Sequence, residues 1–184
     1  MWEQIWKLDH LLFHWINDQP HPPWLDEFMR VVSGSLLWPV LVLGFLAWRR
    51  WRQRAWEWRF VITAGLAVGI SDAVSTYLLK PNFQRLRPCR QEDLIVRIVD
   101  SCSGQFGFPS NHAANGMALT LIFLAYFGKT KMAYFCLLVP ILVSLSRIYL
   151  GVHFPGDVLA GSALGAAIAA ALLPLKKHLQ QIRA

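Results

Sequence analysis

Long apolar segments follow one another along the chain from residue 28 onward, separated by short polar stretches. Each segment is close to, or slightly short of, the roughly 20 residues that an α-helix needs to cross a bilayer. This pattern predicts an all-α integral membrane protein with about five transmembrane helices. The predicted spans cover residues 28–48, 60–79, 113–127, 132–150 and 158–175.

The first 27 residues follow a different pattern, in which apolar and charged positions alternate at helical spacing. Trp6, Leu12 and Trp15 belong to the apolar set, whereas Lys7 and Asp9 belong to the polar one. Such a segment is typical of an amphipathic helix lying in the membrane interface. A cleaved signal peptide is not expected, because a basic start and an uninterrupted apolar run are missing. We predict one domain over residues 1–184, with an interfacial segment at 1–27 and a helical bundle at 28–175.

Composition supports the membrane class and suggests an orientation. Hydrophobic residues make up 55% of the 184 positions, and the net charge is +7. Ten of the eighteen basic residues follow the first, third and fifth spans, where Glu57 is the one acidic residue. The positive-inside rule then predicts a cytoplasmic carboxyl terminus, in a bacterial inner membrane if the source is a bacterium. No basic stripe interleaved with aromatic residues is present, so nucleic acid is not a predicted partner.

Three polar blocks interrupt the apolar pattern, and on this topology all of them face outward. They supply fixed positive charge and bidentate donors for phosphate oxygens, together with imidazole and carboxylate groups for nucleophilic and acid–base chemistry. The sequence therefore predicts an anion site with a histidine nucleophile. The blocks are Lys80 with Arg87-Pro88, then Pro109-Ser110-Asn111-His112, then Ser146-Arg147 with His153 and Asp157.

Each block taken alone also has a simpler interpretation. Lys80 could be a side chain that snorkels to the membrane surface. Ser110 could merely cap the third span, and Asp157 could cap the fifth. An aspartate four residues after His153 could equally fix the imidazole tautomer and raise its basicity. The combination is therefore more specific than its parts.

Together the three blocks closely resemble the signature motifs of the type 2 phosphatidic acid phosphatase family. That family includes glucose-6-phosphatase and the vanadium haloperoxidases as well as membrane lipid phosphatases. The resemblance spans residues 80–157, and the surrounding apolar segments fit the membrane branch, which contains lipid phosphate phosphatases and undecaprenyl-diphosphatases.

The resemblance implies an enzyme that needs no metal or other cofactor and passes through a phosphohistidine. His153 would attack phosphorus, Asp157 would orient it, and His112 would protonate the leaving oxygen and then activate water. Positive charge and hydrogen-bond donors around the phosphoryl group would stabilise the transition state. These phosphate-binding groups would be Lys80, Arg87, Ser110, Arg147 and the backbone of Asn111.

One position departs from the family pattern, which usually has glycine where this chain has Asn111. Asparagine is the residue that next best tolerates a left-handed backbone. The exchange therefore concerns substrate preference more than the reaction, and the Asn111 side chain is a candidate contact to the lipid headgroup.

The substrate predicted from these features is a membrane lipid phosphate, with undecaprenyl pyrophosphate as the first choice. Phosphatidylglycerophosphate, phosphatidic acid and the 1-phosphate of lipid A are close alternatives. A lipid phosphotransferase would use the same phosphohistidine, and a lipid-binding protein would need only the anion pocket. A haloperoxidase would share the anion site, but the membrane spans argue against it.

Three further features have structural interpretations. Cys89 and Cys102 could form a disulfide that braces the loop carrying Arg87, or they could be free thiols. Asp72, inside the second span, could be a bundle contact or could support the site. Small residues around Gly161 and Gly165 predict close helix packing in the last span.

Overall fold

The computed structural model describes residues 2–34, 36–53, 57–99, 101–128 and 136–181. Within these ranges the regular elements are helical, and the only β pairing is a single bridge between Leu86 and Phe106. This confirms the all-α prediction. The helices are α1 (Trp2–Asn17), α2 (Pro23–Ser33), α3 (Leu37–Gln53), α4 (Trp58–Ala73), α5 (Lys80–Phe83), α6 (Asn111–Phe127), α7 (Leu138–Tyr149) and α8 (Pro155–Gln181), with a π-helix at Val74–Leu79 and a 3₁₀ turn at Pro88–Arg90.

Two of these helices are long and apolar enough to cross a membrane. The π-helix joins α4 to α5 in one apolar helix, Trp58–Phe83, of 26 residues. The second is the 20-residue stretch Pro155–Pro174 of α8. A third crossing results if α2 and α3 count as one bent span. By length and composition, the described helices therefore include two or three candidate spans, and the predicted count of five is not confirmed.

The first predicted span, residues 28–48, is not one helix. Here α2 ends where Gly34 adopts an extended backbone, and α3 begins at Leu37 with its axis turned by 61°. Ser33 and Gly34 have low helix propensity, which favours a break at this point. Pro39 follows in the first turn of α3, where its missing N–H removes no helical hydrogen bond.

The third predicted span, 113–127, lies within α6, whereas the fourth contains the shorter helix α7. Helix α6 has 17 residues and α7 has 12. The fourth predicted span, 132–150, begins at residues 132–135, which lie outside the described part of the chain.

Helix α6 is the centre of the bundle and packs against α4 and α8. A side chain on Gly161 or Gly165 would collide with backbone carbonyl groups at Ser110 and Ala114 of the α6 segment. Glycine at both positions therefore lets the two helices approach closely, as the sequence predicted. This contact places the first turn of α6 beside the first turn of α8.

Helix α1 is docked on the bundle through its own polar and apolar contacts. Phe13 is fully buried and packs on Phe154, with ring centroids 5.2 Å apart. Asn17, also fully buried, donates hydrogen bonds to the carbonyl oxygens of Arg97 and Tyr149, each at 2.9 Å. The opposite face exposes apolar side chains such as Trp15, which is 70% exposed. The predicted helix is present, and its position at a membrane surface remains a prediction.

Candidate active site

Backbone pairing brings the first two polar blocks together. The chain leaves α5 through Gln84, whose φ of 47° is left-handed. It then runs antiparallel to residues 105–107: the Arg87 N–H donates to the Gln105 carbonyl at 3.2 Å, and the Gly107 N–H donates to the Arg85 carbonyl at 2.8 Å. The loop that precedes α6 is thereby held against the segment that carries Arg87.

A disulfide closes the same loop. Cys89, two residues after Arg87, is bonded to Cys102, with the two Cα atoms 6.2 Å apart. The pairing agrees with the first of the two interpretations drawn from the sequence. The cross-link removes conformational freedom from the loop between residues 89 and 102, which begins two residues after Arg87.

The third block joins the site through Asp157. Its backbone carbonyl accepts a hydrogen bond from the Ser110 N–H at 3.0 Å, which ties the start of α8 to the start of α6. Its carboxylate Oδ2 accepts the Phe154 N–H at 3.1 Å, as an acidic residue in a capping box does. The capping role considered for Asp157 is therefore present, and a second contact reaches the neighbouring histidine.

His153 is buried and has both ring nitrogens engaged. Nδ1 lies 3.3 Å from Asp157 Oδ2, and Nε2 lies 3.1 Å from Arg87 Nη1. A carboxylate can only accept and a guanidinium can only donate, so these partners assign the proton to Nδ1 and the lone pair to Nε2. The arrangement fits the predicted roles, in which an aspartate orients a nucleophilic imidazole.

The surroundings keep this imidazole neutral. Burial lowers the pKa of His153 well below its ordinary value of 6.5, and the positive charges of Arg87, Arg147 and Lys80 lower it further. Burial also lowers the pKa of Arg87, which remains a cation because a guanidinium does not lose its proton in proteins. The lone pair on His153 is therefore available at neutral pH.

Gly107 is required for the close approach of these groups. A Cβ atom at this position would lie 2.7 Å from Asp157 Oδ2 and 3.5 Å from His153 Nδ1. The first distance is shorter than a van der Waals contact allows, so a side chain would push the aspartate or the loop away.

The predicted phosphate-binding groups gather around His153. Lys80 does not snorkel: its Nζ donates to the Pro109 carbonyl at 2.7 Å and approaches that of Gly107 at 3.5 Å. Arg147 is buried and donates to Ser33 Oγ on α2. The cations thus converge from the end of the second predicted span and the end of α7.

Some buried polar atoms of the site are left without a hydrogen-bond partner among the described residues, and Ser110 Oγ and Arg87 Nε are two of them. Ser110 is at the N-cap position of α6, yet its hydroxyl makes no capping bond, so the simpler role considered for it is not realised. Buried donors left without partners cost free energy, and the first N–H groups of a helix favour an anion. The site therefore has the chemistry of an anion pocket.

His112 lies in the first turn of α6, two residues after Ser110. It lines a cavity of about 550 Å³ whose other walls are mostly apolar side chains. Residues of α3, α4, α6 and α7 contribute to these walls, among them Trp38, Val68, Leu119, Phe123 and Val139. The cavity can therefore hold an apolar group beside His112, the predicted proton donor.

The side chain of Asn111 contacts the second predicted span. Its Nδ2 donates to Asp72 Oδ1 at 2.7 Å and to Thr76 Oγ1 at 2.8 Å, and Asn115 Nδ2 lies 3.3 Å from the same Asp72 oxygen. Asp72 is thus a contact between two helices of the bundle, and it also lines the apolar cavity. A phosphate-binding role for Asn111 rests on its backbone N–H alone.

Two charged residues of the site were not predicted from the sequence. Arg85 Nη1 donates to Asp157 Oδ1 at 2.9 Å, and the same guanidinium pairs with Asp9 on α1. Arg85 lies two residues before Arg87, so the spacing of the first block could have drawn attention to it. Asp9 and Arg85 are 76 residues apart, and no local pattern connects them.

Comparison with known proteins finds a family match and related sequences. The sequence profile of the PAP2 superfamily matches residues 56–180. The lipid A 4'-phosphatase of Porphyromonas gingivalis is 34% identical over 167 residues, which cover 89% of this chain and 70% of that protein. Phosphatidylglycerophosphatase B of Bacillus subtilis is 31% identical over 160 residues, covering 78% and 71%.

A solved structure shares the fold. The crystal structure of a transmembrane PAP2 type phosphatidylglycerolphosphate phosphatase from Bacillus subtilis superimposes with a TM-score of 0.72. The alignment covers 95% of this chain and 87% of that one at 24% sequence identity.

Proposed function

The chain belongs to the PAP2 superfamily, and from this premise and the geometry of the site we propose that it removes phosphate from a membrane lipid through a phosphohistidine at His153. The observation that carries the proposal is the buried imidazole with Nδ1 on Asp157 and Nε2 facing Arg87. Few other arrangements would hold a neutral, oriented imidazole among fixed cations.

In the first step, the lone pair on His153 Nε2 attacks phosphorus in line with the leaving oxygen. The P–O bond breaks, and His112 gives a proton to that oxygen. Burial and then the cations Arg147 and Arg87 lower the pKa of His112 to about 4, so His112 takes up this proton as the phosphate anion binds and offsets those cations. Arg87 must release Nε2 as the phosphoryl group arrives, and its donors then bind phosphoryl oxygens. Asp157 stabilises the positive charge on the phosphorylated imidazole without accepting its proton.

In the second step, His112 takes a proton from water, and the resulting oxygen attacks phosphorus. The P–N bond breaks, inorganic phosphate leaves, and His153 regains its lone pair. Lys80, Arg87, Arg147 and Ser110 act in both steps by binding the three equatorial oxygens, where charge accumulates in the transition state.

The apolar cavity beside His112 supports a lipid substrate. A cavity of about 550 Å³ lined by Phe45, Leu119 and Val143 has room for part of an acyl or prenyl chain. Burial of that chain would provide binding free energy while the headgroup lies among the cations. We infer that the lipid enters with its phosphate near Ser110 and its chain along α6.

Among lipid phosphates, two classes are the leading candidates. The similarity to the lipid A 4'-phosphatase of Porphyromonas gingivalis supports a phosphorylated glycolipid headgroup, and the Bacillus relative supports phosphatidylglycerophosphate. Undecaprenyl pyrophosphate, the first choice from the sequence, remains a prediction beside them. We also propose a bacterial inner membrane location, with the site facing outward and the carboxyl terminus in the cytoplasm.

The test is phosphate release by detergent-purified protein from a panel of these lipids in EDTA. We expect release from at least one lipid, its loss in His153→Ala, and little change in His14→Ala, whose imidazole lies on α1 and pairs with Asp18. Release that survives His153→Ala would contradict the phosphohistidine. If the phosphate removed from the lipid is recovered on an added acceptor molecule and not as inorganic phosphate, the protein is a phosphotransferase that uses the same site.

A further inference from the structure

Arg85 connects two carboxylates from distant parts of the chain. Its Nη1 donates to Asp157 Oδ1 at 2.9 Å, and its Nη2 pairs with Asp9 Oδ2. All three side chains are largely or fully buried, with exposures of 15% for Arg85, 10% for Asp9 and 0% for Asp157. An ion triad removed from water to this extent is costly unless its geometry is well satisfied.

The triad is enclosed and reinforced by its neighbours. The guanidinium carbon of Arg85 lies 4.4 Å from the Phe154 ring centroid and 4.8 Å from that of Trp6, so aromatic rings shield it. Asp9 Oδ1 also accepts the Gly156 N–H at 2.6 Å, next to Asp157 in the first turn of α8. Asp9 therefore contacts both Arg85 and the backbone that carries Asp157.

These contacts determine how Asp157 faces His153. One carboxylate oxygen, Oδ2, faces His153 Nδ1, while Oδ1 is held by Arg85. An uncompensated guanidinium on Oδ1 would withdraw charge from the carboxylate and weaken it as an acceptor for the Nδ1 proton. Asp9 offsets that charge, so Asp157 is fixed in position without losing its strength as an acceptor.

We propose that Asp9 and Arg85 are positioning residues for the reaction, linking the amino-terminal helix to the orientation of His153 through Asp157. The inference rests on the proposed function, because it takes His153 as the nucleophile. In this role neither residue binds the phosphoryl group. Both act through Asp157, much as the outer partners of a metal-bound histidine orient its ring.

Helix α1 does not depend on Asp9 for its attachment. Phe13 is buried on Phe154, and Asn17 makes three hydrogen bonds of 2.9 Å with the backbone of Arg97 and Tyr149. Asp9→Asn keeps the size of the side chain and an oxygen that can accept the Gly156 N–H. This substitution should therefore change the charge of the triad while leaving α1 docked.

The test uses full-length protein in detergent and the lipid that wild type hydrolyses best. We expect Asp9→Asn to lower kcat about 10-fold, by analogy with the loss seen when an outer partner of a metal-bound histidine is removed, with KM unchanged. Asp18→Asn is the matched control directly after α1, because Asp18 is half exposed and pairs with His14. It should keep wild-type kinetics.

The pH dependence of kcat/KM distinguishes a positioning role from an effect on folding. Asp9→Asn removes a negative charge, which should move the acid limb of kcat/KM to lower pH. Arg85→Gln removes a positive charge and should move it to higher pH, while Arg85→Lys should restore part of the rate. The charged and titratable groups that act on His153, directly or through Asp157, are Asp157, Arg87, Arg147, Lys80, His112, Arg85 and Asp9.

The outcomes are distinct. Two outcomes would overturn the positioning role while the phosphohistidine proposal stands. One is wild-type kinetics in Asp9→Asn. The other is a slower Asp9→Asn enzyme whose acid limb is unmoved and whose melting temperature is lower. Activity retained in His153→Ala would overturn both. Opposite shifts of the acid limb in Asp9→Asn and Arg85→Gln, with effects that do not add in the double variant, would support the inference.

Discussion

Arg87 Nη1 lies 3.1 Å from His153 Nε2, the nitrogen that carries the lone pair. The same guanidinium approaches the Val152 carbonyl at 3.4 Å, and its Nε has no partner among the described residues. Arg87 is therefore both a partner of His153, the proposed nucleophile, and a donor available to an anion. Substrate binding must exchange the first contact for contacts with phosphoryl oxygens.

Removing this guanidinium should reduce the rate far more than it weakens substrate binding. We expect Arg87→Ala to lower kcat by about 100-fold or more, the usual cost of losing one donor to a transition-state oxyanion. Arg90→Ala is the matched control, since Arg90 lies in the same loop and donates to the Cys102 carbonyl, away from His153. Steady-state kinetics on one lipid would measure both, and equal losses would contradict a specific role for Arg87.

The acid side of the pH profile should reflect a histidine that resists protonation. Burial and then the neighbouring cations lower the pKa of His153 well below 6.5, so the lone pair persists as the pH falls through 6.5. Activity should decline only at lower pH, where the imidazole finally binds a proton. The profile of kcat/KM from about pH 4.5 to 8 measures this, and an acid limb at or above 6.5 assigned to His153 would contradict it.

The same shift predicts how stability depends on pH. An unfolded chain binds a proton at His153 near pH 6.5, whereas the folded chain does not. The unfolded state therefore binds more protons below that pH, and this group makes folding less favourable as the pH falls from 6.5. As the pH falls below 6.5, the melting temperature of His153→Gln should therefore decrease less than that of wild type.

The sequence predicted the site best where the polar blocks lie at helix ends. The residues of the three blocks flank helix ends, so helices placed by hydropathy also place Lys80, Ser110 and Arg147 near one another. The break between α2 and α3 was not predicted, because the surrounding residues are apolar enough to continue a span. Asp9 was missed for another reason: its partner Arg85 is 76 residues away, and only tertiary packing makes the pair.

The close approach of the Gly107 backbone to the proposed catalytic pair allows a second test of the geometry. A methyl group at Gly107 would lie 2.7 Å from Asp157 Oδ2. We expect Gly107→Ala to lose most activity and about 1–3 kcal/mol of stability, the usual cost of overpacking. Gly69→Ala is the control, because a Cβ there meets no atom within 4 Å. If both variants retain wild-type turnover, the site tolerates a looser Asp157 than we infer.

Asn111→Gly tests whether the departure from the family pattern affects substrate choice. The Asn111 side chain donates to Asp72 and Thr76 on the helix that faces the apolar cavity. Glycine would remove both contacts and leave Asp72 with the longer one from Asn115 Nδ2, at 3.3 Å. Two lost hydrogen bonds should cost about 1–3 kcal/mol of stability. Asp72 already lines the cavity with His112, and without Asn111 its carboxylate gains capacity to accept hydrogen bonds from hydroxyl groups of a headgroup, while it repels additional phosphate. We therefore expect Asn111→Gly to change the ranking of lipids more than the turnover of the best one, favouring hydroxyl-rich headgroups over undecaprenyl pyrophosphate.

Relative kcat/KM values across the lipid panel would show this change of ranking for Asn111→Gly. Asn82→Gly is the control, because the Asn82 side chain donates to the Leu78 carbonyl one turn earlier in the same continuous helix. A uniform change across all lipids would remove Asn111 from any role in headgroup selection and leave it as a contact between α4 and α6.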